Sequence, residues 1–104
     1  MNSYIVNESE RARNDIRRII DYLTNKKGNP IAAESVLDDY FRTAEKLSYL
    51  ADSLPVPNEP GLKRRGLKRM NFTKYNYFML FAIKGENIMI TNIFHASEDF
   101  ESKL

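Results

Sequence analysis

The stretch YNYFMLFAI, Tyr75 to Ile83, carries two apolar sets in alternation. Tyr75, Tyr77, Met79, Phe81 and Ile83 fall on one side of an extended chain, and Phe78, Leu80 and Ala82 on the other. Successive strand side chains point to opposite faces, so a strand apolar on both faces is a central one, covered twice. Its aromatic and β-prone residues suit a pleated surface. Downstream, KGEN supplies a tight turn at Gly85, and NIMITNIFH, Asn87 to His95, reads as a third strand. Upstream, GLKRMNF, Gly66 to Phe72, reads as the first strand of the same antiparallel meander.

The N-terminal half has a different period. SYIV, Ser3 to Val6, reads as a short strand, and Asn7 with Glu10 has the spacing of a capping box. Ala12, Ile16, Ile19, Ile20 and Leu23 then form one helical stripe, with Arg11, Asp15 and Arg18 off it. Gly28 is a stop signal, and Asn29-Pro30 opens a second helix running through Val36, Tyr40, Ala44 and Leu47. The short NKKGNP connector folds that helix back on the first as an αα-hairpin. DSLPVPNEPG, Asp52 to Gly61, breaks every period and reads as a loop. The expected class is α+β: an N-terminal strand and an αα-hairpin packed on a small antiparallel sheet. The hairpin covers one face of the central strand. The other face is expected to lie open, and an open apolar face marks a partner.

The 104 residues, 42% of them hydrophobic, suit one domain spanning 1–104. The chain has no cysteine, which excludes disulfides, thiolate metal sites and a cysteine nucleophile. The N-terminus lacks the basic and apolar regions of a secretion signal, and no apolar run reaches the ~20 residues of a membrane span. A cytoplasmic protein is expected. The formal charge is only +2, but Pro60 to Gly85 holds seven cations and no acid. The remainder carries nine cations against fourteen acids. Such asymmetry favours a polyanionic or acidic partner, with a solvated basic loop as the plain alternative.

The order of these elements resembles the RelE/ParE superfamily of toxins from type II toxin–antitoxin modules. The carrying residues are YIV, then A...DI..I..YL from Ala12 to Leu23, GLKRM, Y.YFMLFAI and I.I..IFHASED. The resemblance implies one of two activities. RelE-like members cleave mRNA in the ribosomal A site, using the substrate's own 2′-hydroxyl and no metal. ParE-like members poison DNA gyrase and cleave nothing. An acidic antitoxin holds either kind inactive.

Taken with these residues, the resemblance implies first a ribosome-dependent mRNA endoribonuclease. A gyrase inhibitor, or an inactive relative that binds only its antitoxin, is the alternative. Cleavage needs a proton carrier, and the single histidine, His95, ends the last strand where YoeB-like enzymes carry one. Cations must also stabilise the crowded phosphate. Lys68 and Arg69 lie on the first meander strand, and alternation sends them to opposite faces. Arg69 is preferred beside His95 because a guanidinium grips phosphate in two places. Lys74 and Tyr75 complete that expected pocket. Lys63, Arg64 and Arg65 are expected to touch rRNA or a partner. No cofactor or metal is implied. Many superfamily members carry an Arg just after the terminal His or a Tyr at the C-terminus. Here Ala96, Ser97, Glu98 and Phe100 follow, which removes a cation and adds an acid.

Overall fold

The computed structural model describes residues 3–104. The chain runs β1 (Ile5–Glu8), α1 (Glu10–Asp21), a π-helical turn (Tyr22–Lys26), α2 (Pro30–Leu50) and a 3-10 turn (Ala51–Ser53). It continues with α3 (Pro60–Arg65), β2 (Lys68–Asn71), β3 (Tyr77–Lys84), β4 (Asn87–His95) and a last 3-10 turn (Phe100–Lys103). The sheet order is β1-β4-β3-β2. β2, β3 and β4 form the expected antiparallel meander, and β1 adds to β4 in parallel.

Long-range pairing moves the first boundary. Asn7 pairs with Met89 inside β1, so the Asn7–Glu10 capping box does not form. Ser9 caps α1 instead: its Oγ accepts from the Ala12 N–H at 3.0 Å and donates to the Thr91 carbonyl at 3.1 Å. Such a cap contributes about 1 kcal/mol. Thr91 is available because the β3–β4 register shifts at Leu80/Phe81, leaving it as a bulge residue. α2 starts as expected, with Pro30 in its first turn and the Asn29 side chain accepting from the Ala32 N–H at 3.1 Å.

The hairpin covers one sheet face. Ala12, Ile16, Val36, Tyr40 and Leu47 pack there on Met79, Phe81, Ile88, Ile90 and Ile93. Fully burying a large apolar side chain stabilises by about 1.5–3 kcal/mol. The second face is not open, contrary to the expectation. Leu62 of α3, Leu67, Phe100 and Leu104 close over Phe78, Leu80 and Phe94. The segment before β2 and the tail each place only a few apolar residues, without period, so they read as loops. Large side chains remain exposed elsewhere, among them Ile31, Phe41 and Val56. Among the described residues no helix is long and apolar enough to cross a membrane.

Candidate functional site

His95 sits at the C-terminal end of β4, opposite Tyr77. Its ring meets the Tyr77 ring edge-on, with centroids 5.0 Å apart. Beside it opens a cleft of about 770 Å³, lined on the α1 side by Arg11, Arg18 and Tyr22 and on the sheet side by Tyr77, Glu98 and Lys103. The residues after β4 turn back on His95. Its backbone N–H donates to Glu98 Oε1 at 2.9 Å. The Ser97 N–H donates to His95 Nδ1 at 3.1 Å, and the Ser97 hydroxyl lies 2.7 Å from the same nitrogen. A backbone N–H can only donate, so Nδ1 is an acceptor and the proton of the neutral ring sits on Nε2. The nitrogen left over can donate a proton, as a general acid does, and does not accept one in this tautomer.

Charges in the cleft are largely balanced within it. Lys103 Nζ lies 2.8 Å from Glu98 Oε2. Burial alone would raise the Glu98 carboxyl, but Lys103 and the His95 N–H outweigh it and hold the group below its usual range. Burial raises the Tyr77 hydroxyl, and the charge of Glu98 adds to that. Arg11 and Arg18 pair with Asp15 at 3.0 and 2.5 Å.

Asp15 was expected off the apolar stripe, but its side chain is fully buried. β1 ends at Glu8, so the Ile93 N–H further along β4 has no strand partner, and Asp15 Oδ2 accepts it at 2.9 Å. Asp39 plays a similar part between β2 and β3. It accepts from the backbone N–H groups of Thr73, Lys74 and Tyr75 at 2.8–3.2 Å.

The other expected site residues do not gather at His95. Lys68 is on the His95 face, paired with Phe81. That is four positions from Tyr77, or about 13 Å along a strand. Its ammonium donates to the carbonyls of Leu54 at 2.9 Å and Ala51 at 3.4 Å. Arg69 pairs with Leu80 and so takes the opposite face from His95, which corrects the preference for it as a partner of His95. Its guanidinium lies 3.8 Å over the Phe78 ring and 3.8 Å from Glu59. Lys74 lies 5.6 Å over the Tyr75 ring and lines a separate cleft with Asp38, Arg42 and Lys46. Tyr75 packs on the main core. Lys63, Arg64 and Arg65 lie on α3, not in a loop, and all three are exposed.

The residues that do line the cleft, Arg11, Arg18, Tyr22 and Lys103, escaped the sequence reading. The one available signal was the Arg11–Asp15–Arg18 spacing, which lets both arginines reach one carboxylate on a helix. Among the described residues no three His, Asp or Glu side chains gather as metal ligands would.

Residues 6–100 match the family model described as the ParE toxin of type II toxin–antitoxin systems, parDE. No curated protein sequence matches the chain. The fold is similar to a solved chain of the chromosomal ParDE toxin–antitoxin system from P. aeruginosa. That likeness has a TM-score of 0.74 at 18% identity, covering 91% of this chain and 98% of the other. It is also similar to a chain of the RelBE2 toxin–antitoxin complex from Mycobacterium tuberculosis. There the TM-score is 0.60 at 20% identity, with 94% and 97% covered.

Proposed function

Because the chain belongs to the family of ParE toxins of type II toxin–antitoxin systems, we propose that it acts by binding and poisoning DNA gyrase and cuts no RNA. Its second partner is a cognate antitoxin, and both partners put its work in the cytoplasm. The observation that carries this reading is the dispersal of the groups an RNase would need. His95 spends Nδ1 on the Ser97 turn, Lys68 spends its ammonium on two carbonyls, and Arg69 lies across the sheet. General acid–base cleavage needs a base within reach of the 2′-hydroxyl and cations around the same phosphate. Three groups so placed do not converge on one phosphate. A toxin that works by occupying a protein surface has no such requirement.

One observation favours an endoribonuclease: Arg11 and Arg18 border the His95 cleft. The two readings separate in paired assays on the purified protein. Gyrase-catalysed supercoiling of a relaxed plasmid should fail, while mRNA on programmed ribosomes stays intact. His95→Gln should inhibit supercoiling as the parent does. Ribosome-dependent cleavage by the parent, lost by ~10²-fold or more in His95→Gln, would overturn the proposal.

A further inference from the structure

Three successive cations, Lys63, Arg64 and Arg65, stand on α3, a helix of one and a half turns. The helix is anchored at both ends. Leu62 and Leu67, on either side of the cations, are buried in the second core. Gly66 closes the helix at φ 67, its N–H directed to the carbonyls of Leu62 and Lys63. The cations themselves are exposed, and among the described residues none of the three makes an ion pair. Arg11, Arg18, Arg69 and Lys103, by contrast, each have an acidic partner. A groove of about 450 Å³ beside Arg65 is also lined by Arg11, Leu67 and Leu104.

We propose that this face of α3 grips duplex DNA through its phosphates, and that it holds gyrase's own DNA while the toxin sits on the enzyme; the second clause rests on the gyrase reading. Two features select the duplex. Docking proteins bury an apolar centre, yet none of the large exposed apolar side chains lies between residues 60 and 71. Single-strand binders add aromatic platforms for unstacked bases, and α3 has no aromatic residue. A set of exposed, unpaired cations on an anchored helix, with no large exposed apolar side chain in the same segment, suits a regular phosphate chain, read by charge and not by sequence.

The test is fluorescence anisotropy of a labelled 20-base-pair duplex with the intact protein across a salt series. The triple change Lys63→Ser, Arg64→Ser and Arg65→Ser should weaken binding about tenfold or more at low salt and shrink the log–log salt slope by roughly 2–3. Arg64→Lys with Arg65→Lys should preserve both, since phosphates answer to charge. All three residues are exposed, so circular dichroism should show each variant folded. Unchanged duplex binding by the triple variant at every salt concentration overturns the proposal. So does better competition by single-stranded RNA of equal length, or a loss confined to binding of polyglutamate, which would mark an acidic protein contact. Supercoiling assays run in parallel keep the two questions apart. A parent that spares gyrase defeats the gyrase reading, while the anisotropy still decides whether α3 holds DNA.

Discussion

Asp15 shows how a single carboxylate can be structural despite two arginine partners. Its charge is fully buried, but Arg11 and Arg18 are largely solvated, with side chains 48% and 71% exposed. Removing Asp15 therefore leaves the arginines free to turn to water, and the loss falls on the orphaned Ile93 N–H. Asp15→Ala should cost about 2–3 kcal/mol, the scale of an unsatisfied buried donor. Asp15→Asn keeps an acceptor and should cost less. Urea unfolding at constant slope measures both, and the Ile93 amide should exchange faster in the alanine variant. If that amide stays protected, another group satisfies it. This residue was hidden in the sequence because helical periodicity sorts side chains by polarity. A polar residue buried to serve a strand end looks the same as one turned to solvent. His95 was visible as a position and not as a role. Its place at the end of β4 followed from alternation, but the Ser97 and Glu98 contacts that fix its ring come from a turn with no periodic signal.

At the scale of elements, the strands and the two long helices were legible, and the short helical turns were not. β3, β4, α1 and α2 emerge from period alone, to within a few residues at their ends. α3 does not, because one and a half turns cannot show a period, and Pro55 and Pro57 precede it while Pro60 opens it. Lys68 marks the junction that its position conceals. Its ammonium ties β2 to the turn just beyond the end of α2, donating to the carbonyls of Ala51 and Leu54. Lys68→Ala should therefore lower stability by about 1–2 kcal/mol through the lost charge-assisted hydrogen bonds. Thermal melts would register this, and toxicity should persist at a temperature where the variant is folded. A stable but non-toxic Lys68→Ala protein would instead place the residue in the toxic surface.

Across the whole molecule, the second sheet face depends on the last few residues. Phe100 packs against Phe78 and Phe94 with ring centroids 5.1 and 5.8 Å apart, and the Arg69 guanidinium lies 3.8 Å over Phe78 and 6.0 Å over Phe100. Because Phe100 is only half-buried, Phe100→Ala should cost about 2 kcal/mol, less than a fully buried phenylalanine. The variant should also bind a hydrophobic dye that the parent does not. A dye-silent variant of parental stability would mean that α3 alone seals this face. The sheet makes one more demand, on order in time. Ser9 and its partner Thr91 are 82 residues apart. At ~5–20 residues added per second, the first strand waits about 4–16 s on the ribosome before β4 has been synthesised. Until then α1 and α2 have no sheet to lie on, and pairing across so long a loop is itself slow. A nascent toxin of this topology is thus unarmed through most of its own synthesis, and it matures only after the C-terminal strands arrive.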